Sequence, residues 1–84
     1  MKATIQSIID RDDLSSPSRK QHLVHKRAHL YVQLRRAGFT LKEIGQLFNR
    51  DHSAVHYWIN KYEYLLSVND KILLNDIKEY DNIL

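Results

Sequence analysis

The sequence predicts an all-α fold of five helices packed as one compact domain over residues 1–84. Apolar residues recur at helical spacing in five successive segments, and helix start or stop signals separate the segments. The chain contains only two Gly and one Pro, and 43% of its residues are hydrophobic. A chain of 84 residues can build one modest core and no second globular unit. The predicted helices span residues 3–12, 17–37, 41–48, 52–66 and 70–82.

The first two helices are predicted from an apolar face and from a start signal. Ile5, Ile8 and Ile9 have helical spacing, and Asp12-Asp13 closes the first helix. Ser15-Ser16-Pro17 indicates the start of the second, because a hydroxyl caps a helix and Pro at its first position loses no hydrogen bond. Gly38 fits the position just past its end. Its predicted apolar stripe is Leu23, Val24, Leu30, Tyr31, Leu34 and Ala37.

The third and fourth helices are predicted from local capping signals. Thr40 and Glu43 have the spacing of a capping box. Asn49 tolerates the left-handed conformation that a tight turn needs, and Asp51 can cap the next helix. A two-turn helix, a tight turn and a longer helix have the geometry of a helix-turn-helix. Gly45 is small where the second helix must cross close to the first. The predicted inward residues are Leu41, Ile44, Leu47, Phe48, Val55 and either Trp58 or Ile59.

The last helix is predicted to begin at Asn69-Asp70. Its apolar residues are Leu73, Leu74, Ile77 and Tyr80. Two interpretations stay open at this point. The helix packs on the first helix, or it presents an exposed face to a protein partner or a second copy.

The charge of the chain is concentrated in its middle. Residues 18–61 carry nine Lys or Arg against Glu43 and Asp51, a balance of +7, together with all five His. Residues 1–17 carry −1 and residues 62–84 carry −3. A strongly basic middle between mildly acidic ends favours a polyanionic partner.

Several classes of protein are excluded by absent features. Without Cys there is no disulfide framework, thiol nucleophile or Cys-based zinc finger. No apolar run approaches the roughly 18 residues of a membrane span, and no signal peptide precedes the first helix. The sequence contains no GxxxxGK[ST] phosphate loop. These absences predict a cytoplasmic protein that is not an enzyme and that binds no cofactor, no ATP and no membrane.

The histidines are candidate metal ligands. His22, His25 and His29 could share one helix face, but no Cys and no obvious carboxylate lies beside them. His52 and His56 lack the Glu of a metalloprotease motif. The sequence therefore predicts no metal site.

The second helix of a helix-turn-helix places its N-terminal residues in the major groove of DNA. Its outward residues here are polar, and such side chains can hydrogen-bond to base edges. Asp51 has two open interpretations, as a base contact and as a helix cap. The outward residues are Asp51, His52, Ser53, His56, Tyr57 and Asn60.

These residues also resemble a known family. Phe48 to Val55, with Arg50-Asp51-His52-Ser53 inside, is similar to the signature of the C-terminal DNA-binding domain of the bacterial replication initiator DnaA. Leu41-x-x-Ile44-Gly45 belongs to the same signature. Further upstream, the resemblance rests on Ile5, Arg27, Leu30, Tyr31 and Leu34, and it covers roughly residues 3–66.

The resemblance implies a Trp-repressor-like fold that binds duplex DNA, in a bacterial or phage protein. It implies base contacts by Asp51, His52 and Ser53 and a backbone contact by Arg50. It also implies a minor-groove contact near the start of the long helix, by His25, Lys26 or Arg27. The predicted base contacts are Asp51, His52, Ser53, His56 and Tyr57. The predicted backbone or minor-groove contacts are Arg19, His25, Lys26, Arg27, Arg50, Asn60 and Lys61.

Three departures from the family pattern affect recognition. The turn at Phe48-Asn49-Arg50 is one residue shorter than the usual form, Ala54 replaces a frequent hydroxyl residue, and Tyr57 stands where the family often has His. The resemblance therefore does not imply that the same DNA box is recognised.

Two functions follow as hypotheses. The first is sequence-specific binding of double-stranded DNA that regulates replication or transcription. The alternative is a protein-interaction adaptor that uses the Tyr-rich fourth helix or the C-terminal helix.

Overall fold

Five α-helices and a terminal 3₁₀ turn make up the computed structural model, which describes residues 2–80 and the side chains of residues 4–80. This part of the chain contains no strand, so the predicted all-α class is confirmed. The elements are α1 (Lys2–Arg11), α2 (Gln21–Arg36), α3 (Leu41–Phe48), α4 (His52–Ser67), α5 (Lys71–Asp76) and the 3₁₀ turn (Lys78–Tyr80).

Helix α2 lies at the centre of the packing and contacts α3, α4 and α5. Ile5, Ile9 and Leu14 pack with α2 residues in one apolar cluster. A second cluster joins α2 to α4 and α5 through Tyr62 and Leu73. Burying an apolar side chain of this size completely contributes about 1.5–3 kcal/mol relative to leaving it exposed.

The predicted start of α2 is wrong by four residues. The helix begins at Gln21, its N-cap Lys20 is extended, and no side chain caps it. Ser15-Ser16-Pro17 lies in the loop of residues 12–20 that joins α1 to α2. The carbonyls of Ser16 and Ser18 accept hydrogen bonds from the guanidinium of Arg27, so this backbone is held by a side chain and not by helical bonds.

The end of α2 is confirmed. Gly38 has a φ of +99°, which disfavours a side chain there. Its N–H donates to Arg35 O at 3.1 Å, and the N–H of Phe39 donates to Leu34 O at 3.1 Å. This pair of bonds is a Schellman motif. Ala37 was placed in the predicted apolar stripe, but it is exposed, because the motif turns the chain away at this point.

The predicted α3–turn–α4 unit is confirmed. Thr40 and Glu43 form both hydrogen bonds of a capping box, at 3.1 Å and 2.8 Å. Asn49 is left-handed, with φ 56° and ψ 49°. A Cβ on Gly45 would lie 2.4 Å from the carbonyl oxygen of Arg50, so the turn approaches α3 too closely for any larger residue. Ile44, Phe48 and Val55 are fully buried between the two helices and α2.

The C-terminal segment differs from the single helix predicted over residues 70–82. Helix α5 ends at Asp76, and a 3₁₀ turn reaches Tyr80, while residues 81–82 lie outside the described part. Leu73, Ile77 and Tyr80 are buried, but Leu74 is 41% exposed, contrary to the prediction. The break between α5 and the turn brings Tyr80 into the α1 cluster, where its hydroxyl donates to Asp12. Helix α5 packs chiefly on α2 and α4, so the prediction that the last helix packs on the first is wrong for the helix itself, and only Tyr80 of the 3₁₀ turn reaches the α1 cluster.

Candidate nucleic-acid interface

The N-terminal turn of α4 is polar and exposed. The side chains of Asp51 and His52 are 70% and 62% exposed, and Ser53 is exposed as well. Val55, on the same turn, is completely buried. One face of the helix therefore anchors it while the other face presents polar groups to solvent.

The carboxylate of Asp51 caps α4. Its Oδ2 accepts a hydrogen bond from the N–H of Ser53 at 3.3 Å, and Oδ1 lies 3.4 Å from His52 Nδ1. The hydrogen bonds from Ser53 hold the pKa of Asp51 below its usual value, with a smaller contribution from His52. The cap interpretation is confirmed. A base contact by the same carboxylate is compatible with the cap, because a capping carboxylate keeps free lone pairs, and it stays a prediction.

The second turn of α4 extends the same surface. His56 and Tyr57 are exposed, and the ring of Tyr57 stands edge-on to Trp58 with 5.6 Å between the centroids. Asn60 Nδ2 lies 3.2 Å from His56 Nε2, which orients the imidazole along the helix. All the predicted base-contacting side chains therefore lie on one accessible strip.

The predicted backbone contacts divide into accessible and engaged side chains. Arg19 is exposed in the α1–α2 loop. Lys61 is half-buried, with Nζ 5.8 Å from the ring centroid of Tyr64. Lys26 is half-buried too, and it is paired with Glu79 of the 3₁₀ turn. An acidic partner neutralises Lys26, which weakens the case for a DNA contact there.

His25 and Arg27 are not on an exposed face, and we remove them from the candidate interface. His25 is 3% exposed, and its Nδ1 lies 2.7 Å from Asp76 Oδ2 in α5. Arg27 is 4% exposed, and its guanidinium donates to three backbone carbonyls of the α1–α2 loop. Helical spacing gave no signal of this, because the partners lie far away in the sequence.

Arg50 also differs from the expected free side chain. It is half-buried, and its guanidinium donates to the carbonyls of Phe48, Asn49 and Ser16. Neither this internal role nor the exposed Lys20 beside Arg19 is predicted from the sequence. A cavity of about 600 Å³ lies between the α1–α2 loop and α4. It is lined by basic, aromatic and small residues that include Arg19, Arg27, Arg50, Tyr31, Ala54 and Trp58.

The histidines do not share one exposed face. His25 faces Asp76, and His29 is buried with Nδ1 2.7 Å from the hydroxyl of Tyr62. Within residues 2–80 no three side chains of metal-ligating type are arranged to hold an ion. Among the helices of the same region, none has the length and apolar character needed to cross a membrane.

Comparison with known proteins bears on the helix-turn-helix directly. A family model described as the bacterial dnaA protein helix-turn-helix matches residues 5–61, which is more than half of the chain. Neither the curated proteins nor the solved structures gave a match. The matched region contains α2, α3, the turn and the polar first half of α4. The chain therefore belongs to the bacterial dnaA protein helix-turn-helix family.

Proposed function

We propose that this protein binds double-stranded DNA in a sequence-specific manner, with the N-terminal half of α4 in the major groove. The observation that carries the proposal is the division of this half-helix into a buried face at Val55 and an exposed polar face at His52 and Ser53. The major groove is wide enough for an α-helix and exposes a distinct set of donors and acceptors for each base pair. Membership of the DnaA helix-turn-helix family supports the same function.

The proposed base contacts follow from the chemistry of the exposed strip. A carboxylate such as Asp51 accepts from cytosine N4, and a hydroxyl such as Ser53 reaches several base edges. The imidazoles of His52 and His56 donate to acceptors on purines or pack on a thymine methyl. Tyr57 offers a ring and a hydroxyl one turn further along.

The proposed backbone contacts are the accessible basic or amide side chains that border this strip. Arg19 and Lys20 lie in the loop before α2, and Asn60 and Lys61 lie further along α4. Contacts to phosphate orient a protein on the duplex, and contacts to bases supply specificity. The proposed process is control of replication or transcription in the cytoplasm of a bacterium or a phage-infected cell.

Selection from randomised duplexes, followed by sequencing, tests the proposal. We expect enrichment of one motif by the wild-type protein. The His52→Ala variant should lose discrimination at one or more positions of that motif, with about 1–3 kcal/mol lost at the preferred site and less on random DNA.

The matched control is His22→Ala, which removes an exposed imidazole from α2 and should leave the motif unchanged. Both variants should melt at the wild-type temperature, because both side chains are exposed. An absence of enrichment, or an identical motif from His52→Ala, would contradict major-groove reading.

A second function has one observation in its favour. Tyr64, Val68 and Ile72 are each more than half exposed near the junction of α4 and α5. Exposed apolar side chains that lie close together mark protein-binding surfaces. If duplex selection fails while a photo-crosslinker at Val68 traps a specific protein in cells, the adaptor function would replace DNA binding.

A further inference from the structure

Two guanidinium groups donate hydrogen bonds to the carbonyls of the α1–α2 loop. Arg27 donates to three alternate carbonyls of this loop: Nε to Leu14 at 2.7 Å, Nη1 to Ser18 at 2.8 Å and Nη2 to Ser16 at 3.0 Å. Arg50 Nη2 donates to the same Ser16 carbonyl. One oxygen atom of the loop is therefore shared by side chains from α2 and from the helix-turn-helix.

Arg50 connects this loop to the turn before α4. Its Nη1 donates to the carbonyls of Phe48 at 3.0 Å and Asn49 at 3.2 Å, while Nη2 reaches Ser16, 34 residues earlier in the chain. The backbone of Arg50 is fixed as well, because its N–H donates to Gly45 O at 2.8 Å. The Arg50 side chain thus links the α1–α2 loop to the turn between α3 and α4. The loop is also bound by Arg27, and the turn is also bound to Gly45 of α3.

In the described part of the chain, the charges of Arg27 and Arg50 are not neutralised by ion pairs. Within residues 2–80, no carboxylate lies within ion-pair distance of either guanidinium. Burial lowers the pKa of Arg27, and the nearby charge of Arg50 lowers it further. The repulsion between the two like charges opposes folding, while their hydrogen bonds to the loop carbonyls favour it.

The loop carries Arg19 and Lys20, which are among the proposed phosphate contacts. The first residues of the loop are also held by α1 and by Tyr80, which donates to Asp12, and the carbonyl of Lys20 accepts the first hydrogen bonds of α2. Between these ends, the described hydrogen bonds of residues 15–19 are the guanidinium bonds and short turns made by the loop's own backbone and hydroxyls. The position of Arg19 relative to α4 therefore depends on the start of α2 on one side and on the bonds from Arg27 and Arg50 on the other.

We propose that Arg50 is a positioning residue that holds the α1–α2 loop against the turn, so that the loop cations and the α4 strip meet DNA as one rigid surface. This inference rests on the proposed DNA binding. The rival role for Arg50 is the direct phosphate contact implied by the family resemblance.

Lysine at position 50 separates the two roles. Arg50→Lys keeps the charge, but it replaces the two separate nitrogens, Nη1 on the Phe48 and Asn49 carbonyls and Nη2 on the Ser16 carbonyl, with a single ammonium on a shorter side chain. A direct phosphate contact would be largely preserved by Lys. If Arg50 instead positions the loop, Arg50→Lys would lose that function.

The first experiment uses the protein without DNA, so its result does not depend on the proposed function. Amide hydrogen exchange is measured for Ser16 and Ser18, with Phe39 as an internal control in the α2 end motif. Arg50→Lys should speed exchange in the loop by about tenfold, the effect of losing one charge-assisted hydrogen bond. The Phe39 amide should not change. Unchanged exchange in the loop would overturn the proposal.

The second experiment is a double-mutant cycle on DNA affinity. Arg19→Ala should weaken binding by wild-type protein and flatten the salt slope by about 0.9. In the Arg50→Lys background, the same change should have an effect of less than about twofold, because the loop no longer holds Arg19 in place. Lys61→Ala is the control, since Lys61 lies on α4, and its effect should be the same in both backgrounds.

The remaining outcomes are also decisive. Additive effects of Arg19→Ala and Arg50→Lys would assign Arg50 to an independent contact and overturn positioning. If neither the wild-type protein nor any variant binds DNA, the proposed function is wrong. The positioning role is then tested by amide exchange alone. If Arg50→Lys does not fold, Arg50→Gln is used, and the loss of folding in both would overturn the proposal, because Arg50 would then support the whole domain.

Discussion

At the residue scale, Asp51 combines a structural and a proposed recognition role in one carboxylate. It caps α4 through the N–H of Ser53, and it stands at the start of the exposed polar strip. These two roles need different chemistry, because an amide can cap a helix as well as a carboxylate does but also presents donors to a base. Substitution can therefore separate them.

We predict that Asp51→Asn melts at nearly the wild-type temperature but accepts a base pair that the wild type rejects. Asp51→Ala should melt at a lower temperature, because the N–H of Ser53 loses its acceptor. Thermal melts and duplex selection on both variants test this. If Asp51→Asn keeps the wild-type base preference at every position of the DNA motif, the carboxylate is only a helix cap. Recognition of the bases then depends on His52 and Ser53.

We predict that the buried phenols of Tyr31 and Tyr80 make the stability of the protein sensitive to alkaline pH. Burial, followed by the hydrogen bond to Asp12, raises the pKa of Tyr80 above its ordinary value of 10.0, and burial raises that of Tyr31. A phenol with a raised pKa keeps its proton in the folded state after the unfolded chain has lost its own. The stability from each group is therefore present below about pH 10 and is lost as pH rises through the folded pKa.

We expect the melting temperature to fall steeply as pH is raised above about 10. Tyr80→Phe should make this fall shallower, because it keeps the ring and removes one ionisable group. Tyr64→Phe is the exposed control. A wild-type melting temperature that stays level to about pH 12 would show that neither buried phenol is linked to folding.

At the element scale, the C-terminal segment completes the core of a domain whose family match ends at residue 61. Tyr62, Leu73 and Ile77 pack with Ala28 and Val32 of α2 in one buried cluster. The segment also supplies the partner of the buried imidazole, since Asp76 faces His25. Residues that the family model does not include therefore pack against α2 and stabilise the helix-turn-helix.

Two adjacent leucines test this role of α5. Leu73 is completely buried and Leu74 is 41% exposed. Leu73→Ala should lower the free energy of unfolding by about 2–5 kcal/mol, through lost transfer energy and a residual cavity. Leu74→Ala should change it by about 0.5 kcal/mol or less. Urea unfolding of both variants measures the difference, and equal effects would mean that α5 does not seal the core.

At the scale of the whole molecule, the charge asymmetry of the sequence becomes an asymmetry of surfaces. The acidic C-terminal segment packs on α2 and neutralises part of its charge through Glu79 on Lys26, while Asp76 lies beside His25. Arg27 is withdrawn into the interior. The positive charge that stays accessible near the α4 strip is therefore carried by fewer residues than the sequence suggests, chiefly Arg19, Lys20 and Lys61.

This reduced set predicts the salt dependence of binding. If Arg19, Lys20 and Lys61 each neutralise one phosphate, log affinity should fall by about 2.7 per unit of log salt. Replacing one of them with Ala should remove about 0.9 from that slope on every DNA sequence. Lys71→Ala, which removes an exposed charge from α5, should leave the slope unchanged. An association with DNA that is independent of salt would contradict the proposed phosphate contacts.

The sequence by itself determined the features that depend on near neighbours. The capping box at Thr40, the left-handed Asn49, the Asp51 cap and the Gly38 end motif all join residues at most five positions apart, and all were predicted correctly. Periodicity also placed His52 and Ser53 outward and Val55 inward. A helix has a fixed repeat, so local spacing is enough to assign its faces.

Only the tertiary structure decided which polar residues stay in solvent. His25 and Asp76 are 51 positions apart, and Arg50 and Ser16 are 34 apart, so no local pattern joins them. A His or Arg at helical spacing is expected at the surface, since burying an unpaired polar group is costly. The fold removes that cost when it brings a carboxylate or several backbone carbonyls to the side chain. Such distant partners come together only when the chain folds. They determine the burial of Arg27, the residue at which α2 starts and the hydrogen bonds of Arg50 to the loop.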